Sequence, residues 1–326
     1  MRAEVMFYGD NTEFRNPFRE GETIFGAAIR PSLEVALNPR VTVSLGAVTN
    51  HRFGSDAAFE LARPLAAVTF RGSSHTFVMG TLPWRRSTAG GPDLHGLHGL
   101  IPPIQRETLR FERPYEAGLH WTVGAVRLEK EAWINWQRLN TSAHRERFDA
   151  GLSARLWPGR LLAPAFQLHV VHEGGQLFAV GPVADSVAAA AGAVLSRRVG
   201  GADLAIEGHA AVSRYVPDRE TDAATRNGAG FFARAAVSRA GWRGHLLFWR
   251  GDDFIKDEGD PNYQSRRRDG TRYRGVRDYA ETGLARTFVP AAAVTFDVSG
   301  RLHRVERHYE YSFRLLCTAR LEWLIR

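Results

Sequence analysis

The sequence is poor in cysteine and lysine, and it has no long apolar run. Cys317 is the single cysteine among 326 residues, which excludes a disulfide framework and a cysteine-based metal site. The longest nearly apolar stretch, 187–195, is much shorter than the ~18 to 20 residues of a membrane-spanning helix. An apolar leader is also lacking, since Met1 runs directly into patterned sequence. A helical membrane protein is therefore excluded, and an exported protein requires a start upstream of Met1.

The positive charge of the chain is dispersed. The formal net charge is +8 and the pI about 10.1. Lys130 and Lys256 are the only lysines, so 41 of the 43 basic residues are arginine. Nucleic-acid binding requires basic residues concentrated on one face or stripe. The one dense run of basic residues, 266–277, is interspersed with glycine and aspartate, which indicates a solvated loop. We expect no nucleic-acid partner.

The last segment of the chain alternates strictly between apolar and other side chains. From Tyr309 to Ile325 every odd position is apolar, whereas the even positions are mostly Glu, Ser, Arg and Thr. Such alternation predicts a strand with one apolar and one polar face. The segment is longer than the ~5 to 6 residues of an ordinary globular strand. The same pattern recurs at 109–123, 126–137, 148–156, 202–212 and 230–239.

The predicted connections fall into two classes. Short turns are expected at 38–40, 72–74, 124–125, 158–160, 200–201, 240–241 and 290–291. Long loops are expected between them at 9–22, 51–57, 85–106, 140–146, 174–186, 216–229 and 253–278, with a tight exception near 306–308. With 2–8 as the first strand, about 16 strands result (14–16). A soluble sandwich needs neither such long strands nor two alternating classes of connection.

In this architecture the whole chain resembles a bacterial outer-membrane β-barrel of porin-like proportions. Short periplasmic turns, longer outside loops and aromatic girdles are typical of that class, and Trp84, Trp157, Tyr215 and Trp323 lie near predicted strand ends. The resemblance implies an all-β fold, a single closed antiparallel transmembrane barrel spanning 1–326 without a second domain. It also implies location in the outer membrane of a Gram-negative bacterium. The implied partners are outer-membrane lipid and lipopolysaccharide, the barrel-assembly machinery and small solutes.

The alternation assigns a set of polar residues to the lumen, on the face opposite the lipid. These residues are Arg110, Glu112, Glu116, Arg127, Glu129, Glu131, Asp149, Arg155, Glu207, Arg234, Arg314 and Arg320. The long loop 85–106 is partly apolar, and it either folds into the barrel as a constriction or packs outside on its neighbours. The sequence thus predicts a passive channel, or porin, for small solutes. The alternatives are a non-conducting barrel that assembles or anchors surface polymers, and a hydrolase active at the rim.

No catalytic, cofactor or metal site is predicted. The sequence has no Gly-x-Ser-x-Gly motif, and neighbouring Ser and His residues in turns do not make a triad. His303, Glu306 and His308 have ligand chemistry, but on a strand His303 points away from the other two. His95 and His98 have no apparent third ligand. We therefore expect that the protein is not an enzyme.

Overall fold

The structure is a computed structural model, and it describes residues 1–84, 96–221 and 224–323. These residues form a closed barrel of 16 antiparallel strands, in which consecutive strands pair and the first strand closes on the last. The strands are β1 (Arg2–Glu13), β2 (Glu22–Asn38), β3 (Val41–Arg52), β4 (Leu61–Arg71), β5 (His75–Thr81), β6 (Ala117–Ala125), β7 (Leu128–Arg138), β8 (Glu146–Leu156), β9 (Leu162–Gly174), β10 (Ala184–Val199), β11 (Ala202–Val216), β12 (Arg226–Arg239), β13 (Trp242–Asp252), β14 (Arg277–Ala291), β15 (Val294–Val305) and β16 (His308–Glu322). The all-β class and the strand number predicted from the sequence are confirmed.

The alternation of side chains separates the two faces of the wall. Apolar residues such as Leu45, Leu246 and Phe313 are exposed on the outside, where the bilayer contacts the barrel. Their strand neighbours point inward and are buried, as Arg314 shows beside Phe313. Within the described ranges, no helix is long and apolar enough to cross a membrane.

The connections alternate in length around the two rims. One rim carries short turns, such as those between Val199 and Ala202 and between Arg239 and Trp242. The other rim carries the longer loops, together with the tight turn at Glu306 and Arg307 between β15 and β16. Because outer-membrane barrels place short turns in the periplasm, the long-loop rim is the extracellular one.

One segment predicted as strand folds differently. The alternation at 109–123 continues into β6 only from Ala117, whereas Leu109–Glu112 forms a short helix, α1. Pro114 follows closely, and proline disfavours the helical conformation in the residue before it. Leu109 and Phe111 are both buried inside the barrel, so this local apolar period reflects packing in the lumen and not a membrane-facing strand.

Three loops fill the extracellular half of the lumen: 14–21, the described part of the β5–β6 connection (96–116), and 253–276. We call them the plug. Leu100, Ile101, Ile104 and Phe254 of the plug are buried in one apolar cluster with wall residues. The wall members of that cluster lie on β7 and on β10 to β15, and Leu82 directly follows β5: they are Leu82, Trp133, Ala188, Ala190, Ala211, Phe232, Leu247, Trp249, Tyr279 and Val305. On the other side of the barrel, Phe111 of the plug packs in a second apolar cluster with residues of β1, β2 and β16. The plug therefore contacts opposite sides of the wall.

Polar contacts join the plug segments to one another and to the wall. Asn16 donates to Glu310 of β16 (2.6 Å), and Arg19 contacts Asp260 of the 253–276 loop (2.6 Å). At Gly259 a Cβ atom would lie 2.2 Å from the carbonyl oxygen of Pro103, so two plug loops approach as closely as only glycine permits. Residues 85–95 of the predicted constriction loop lie outside the described residues; the remainder, 96–106, lies inside the barrel.

Candidate active site

The residues assigned to the lumen from the sequence occupy three kinds of position. Six are on wall strands and point inward: Glu131, Asp149, Glu207, Arg234, Arg314 and Arg320. Arg110 and Glu112 belong to α1 of the plug, and Glu116 directly precedes β6, so these three do not lie on wall strands in the predicted way. Arg127 does not line the lumen: it lies in the turn between β6 and β7. Glu129 and Arg155 pair with each other near the same rim and are largely exposed.

Below the plug, a cavity of about 1260 Å³ occupies the periplasmic half of the barrel. Residues beside the short turns line its outer part, among them Arg198, Gly201, Ala292 and Glu322. The deep part is lined by plug residues, including Leu97, His98, Arg110 and Arg113. A porin of 16 to 18 strands leaves an aqueous channel, whereas here the channel ends at the plug.

A serine, a histidine and a glutamate form a relay of close polar contacts on the inner wall at the level of the plug. Ser312 of β16 lies 2.8 Å from Nε2 of His303, its Oγ atom facing that nitrogen. On the other side of the ring, Nδ1 of His303 is 3.3 Å from Oε2 of Glu281. Antiparallel pairing explains the arrangement, because Glu281 of β14 is directly opposite His303 of β15. The roles match those of a nucleophile, a base and an orienting carboxylate.

The carboxylate of the relay is fixed by further contacts. Tyr279 donates to Oε2 of Glu281 (2.5 Å) and also contacts Nδ1 of His303 (2.7 Å). His245 of β13 lies 2.8 Å from Oε1 of the same carboxylate, and Arg301 lies 3.8 Å from it. With these contacts around Nδ1 of His303, its Nε2 atom is left to accept the proton of Ser312.

Two arginines lie beside Ser312. Arg301 is its cross-strand neighbour on β15, and Arg314 is two residues further along β16. Both contact the plug residue Glu107, with Arg314 Nη1 at 2.7 Å from Oε2, and Arg314 also binds Asp10 (2.8 Å). Burial alone would raise the pKa of Glu107, but the two guanidinium groups hold it well below its usual value. Glu107 is therefore an anion that attaches the plug to the wall.

The relay is enclosed. Ser312, His303, Glu281 and both arginines line a cavity of about 20 Å³, which is room for about one water molecule. Phe14, at the start of the 14–21 plug loop, covers it: its ring meets the His303 ring edge-on, with 4.9 Å between centroids. In this conformation the cavity beside Ser312 has no room for a larger molecule.

Sequence reasoning missed this relay. It considered His303 only together with Glu306 and His308, whereas the structure places Glu306 in the turn and His308 at the exposed extracellular end of β16. The available signal was the inward period of the last three strands, which puts Glu281, His303 and Ser312 on one face. Their common height depends on strand register, which the pattern alone leaves open.

A family model described as "Lipid A 3'-O-deacylase-type" matches residues 1–326. The chain belongs to this family. The expectation that the protein is not an enzyme is therefore wrong, because the family is enzymatic and was recognised by none of the motifs sought in the sequence. The family and the fold also establish the bacterial outer membrane as the location.

Solved structures of outer-membrane proteins share the fold. OmpT of Vibrio cholerae, in a form lacking loop L8, is 10% identical with a TM-score of 0.60, and 98% of each chain is covered. OccK8 (OprE) of Pseudomonas aeruginosa is 11% identical with a TM-score of 0.57, covering 99% of this chain and 98% of that one. OccAB1 of Acinetobacter baumannii is 10% identical with a TM-score of 0.54, covering 99% and 97%. No curated protein matches the chain by sequence.

Proposed function

We propose that the protein is an outer-membrane ester hydrolase that removes an acyl chain from lipid A, with Ser312 as the nucleophile. The observation that carries this proposal is the relay of Ser312, His303 and Glu281 in the extracellular half of a barrel of this family. Ser312 lies four residues along β16 from His308 at the extracellular end. At ~3.3 Å per residue and a tilt of ~45° it is ~10 Å below that end, a depth suited to a glycolipid of the outer leaflet.

The relay supports a two-step acyl transfer. His303 Nε2 takes the proton of Ser312 as Oγ bonds to the carbonyl carbon of the ester, and the same nitrogen returns the proton to the departing sugar hydroxyl as the ester C–O bond breaks. Water then attacks the acyl-serine, giving its proton to His303, and the fatty acid leaves while Ser312 recovers its hydrogen. Glu281 orients His303 and stabilises the imidazolium in both steps.

Charge stabilisation is provided beside the nucleophile. The carbonyl oxygen becomes negative as Oγ adds to the ester, and fixed positive charge in a water-poor site lowers the energy of that state. Arg301 and Arg314 line the same small cavity as Ser312. Both are held by Glu107 in the closed state, so displacement of the plug removes the anion that they share, while Arg314 keeps its contact with Asp10 of the wall.

Entry of substrate requires the 14–21 loop to move away from the wall. Phe14 is buried against His303, and Asn16 and the amide of Arg15 are bound to Glu310 of β16. Active-site loops of this kind sequester the reacting groups from water until substrate displaces them. The protein is thus expected to be inactive on soluble esters when the loop is closed.

A closed channel is the second candidate function. The observation in its favour is the wide cavity that opens at the periplasmic rim of a porin-like barrel. Solutes would pass only when the plug is displaced, so the passive porin expected from the sequence is not proposed. Under either function the chain is inserted by the barrel-assembly machinery as a single domain.

The test measures acyl loss from lipid A in vesicles containing the refolded barrel, by mass spectrometry. Ser312→Ala should lower the rate at least ~10³-fold, whereas Ser299→Ala, a lumen-facing serine of β15 outside the relay, should leave it unchanged. A fluorophosphonate probe should label Ser312 and no other serine. Full deacylation by the Ser312→Ala protein, or labelling elsewhere, would show that this relay is not the active site.

A further inference from the structure

Two histidines and a glutamate converge at the deep end of the periplasmic cavity. Nδ1 of His98, from the plug, lies 2.7 Å from Oε1 of Glu131 on β7. The same oxygen is 3.1 Å from Nε2 of His120 on β6. One ligand atom from each residue lies within 4.8 Å of the other two. All three side chains line the cavity, so one side of the group faces open space.

These separations suit a tetrahedral metal site. Zn²⁺ binds His nitrogen and carboxylate oxygen at ~2.0 to 2.2 Å, which places neighbouring ligands of a tetrahedron ~3.3 Å apart. The two contacts made by Glu131, at 2.7 and 3.1 Å, are both shorter than that value, so the ligand atoms need to move apart only slightly to admit the ion. Two imidazoles and one carboxylate, with a fourth position facing a cavity, make up the donor set of a zinc centre that retains an exchangeable ligand.

The second ring nitrogen of His98 supports the same assignment. Nε2 lies 3.2 Å from Oε1 of Glu116, and Asn135 contacts that same oxygen (3.5 Å). A carboxylate that accepts the N–H of a histidine fixes the tautomer whose other nitrogen is free to bind metal, and this pairing accompanies most histidine ligands. Glu116 therefore directs the lone pair of Nδ1 toward Glu131 and His120.

His98 is also held rigidly. Its ring stacks on Trp133 at 3.7 Å between centroids and 12° between planes, and its amide donates to Gln105 (3.1 Å). The carboxylates of Glu116 and Glu131 thus face one imidazole from two sides, and a divalent ion bound there would balance both negative charges.

We propose that His98, His120 and Glu131 bind a divalent transition-metal ion, with Zn²⁺ as the best match, and that Glu116 orients His98 from behind. Calcium does not fit, because Ca²⁺ takes six to eight oxygen ligands. The open position faces the periplasmic cavity, on the opposite side of the plug from Ser312, so this site is independent of the proposed ester hydrolysis. Since His98 belongs to the plug and the other two ligands to the wall, the metal would also fasten the plug.

The test is direct metal binding to the refolded barrel, by calorimetry with Zn²⁺ and by the visible spectrum of Co²⁺ in its place. One ion per barrel should bind, with the strong absorption of tetrahedral Co²⁺. His120→Ala should abolish binding, and Glu116→Gln should weaken it ~10- to 100-fold. The control His169→Gln alters a second buried group, Asp149, His169 and Glu258, and should leave binding unchanged.

Each variant is checked for the heat-dependent gel shift of a folded barrel, so that loss of binding is not confused with loss of structure. The proposal is overturned if folded His120→Ala binds Zn²⁺ like the wild type, if His169→Gln removes binding, or if Ca²⁺ competes equally with Zn²⁺. Deacylation by the Ser312 relay is expected to persist in His120→Ala. A failure of the metal proposal can therefore be distinguished from a failure of the proposed hydrolysis.

Discussion

Removal of the Glu107 carboxylate should open the barrel. Glu107 is the shared partner of Arg301 and Arg314, which leaves both guanidinium groups facing a neutral amide in Glu107→Gln. Breaking a buried ion pair by removing one partner destabilises by ~3 to 5 kcal/mol. At ~1.4 kcal/mol per tenfold change, the ratio of displaced to docked plug rises between roughly 10² and 4 × 10³-fold.

Single-channel recording in a planar bilayer measures this change. The wild-type barrel should be closed for most of the record, and Glu107→Gln should show frequent long openings. Glu112→Gln is the matched control, because Glu112 pairs with Arg106 inside the same plug segment and does not reach the wall. A folded Glu107→Gln barrel that stays as closed as the wild type would refute the role of this cluster, and a wild type that conducts continuously would refute the filled lumen.

Three further outcomes are expected. Phe14→Ala should increase fluorophosphonate labelling of Ser312 severalfold by uncovering the relay, and unchanged labelling would mean that Phe14 is not its cover. Leu315→Arg, on the lipid face near the middle of β16, should destabilise the barrel by ~2 to 4 kcal/mol in urea titrations. Thr318 points into the cavity, so Thr318→Arg should be tolerated. Equal destabilisation by both substitutions would contradict the assigned faces. Burial lowers the pKa of Lys256 to about 8, although Glu258 and Asp257 raise it. In the displaced loop the lysine would have its ordinary pKa of ~10.4. Between pH 8 and that value, the displaced loop therefore binds more protons than the docked loop. Docking should then strengthen as pH rises from 8 to 10, seen as fewer openings, and Lys256→Met should lose this dependence; more openings at high pH would contradict the sign.

The wall of the barrel could be predicted from the sequence because the alternation of each strand depends only on neighbouring residues in the chain. A strand with one face on lipid must alternate at period two, and the segment from Tyr309 onward shows this without any knowledge of its partners. The turns at 200–201 and 240–241 were identifiable for the same reason, since a tight connection between antiparallel strands requires glycine or a residue tolerant of positive φ, and Gly200, Gly201 and Gly241 all have positive φ.

The interior could not be predicted in this way, because its contacts join residues far apart in the chain. Glu107 and Arg301 are 194 positions apart, and the ligands proposed around His98 come from two later strands. Leu109 and Phe111 mimic a strand locally, although their burial is set by the lumen. To predict the relay, one would have needed the register between β14, β15 and β16 in addition to the alternation within each strand. The pattern of any single segment therefore does not indicate that loops fill the lumen.

The attachment of the plug to the last strand constrains the order of assembly. Glu310 binds Asn16 and Arg314 binds Glu107, and β16 is also the strand that closes the barrel against β1. These contacts cannot form until β16 has been synthesised and has paired. Since contacts between distant parts of a chain form slowly, the lumen should fill late, after a hollow intermediate with a complete wall. Such an intermediate would let solutes leak through the membrane during biogenesis. Rapid docking of the loops after the last strand has paired would limit this leak.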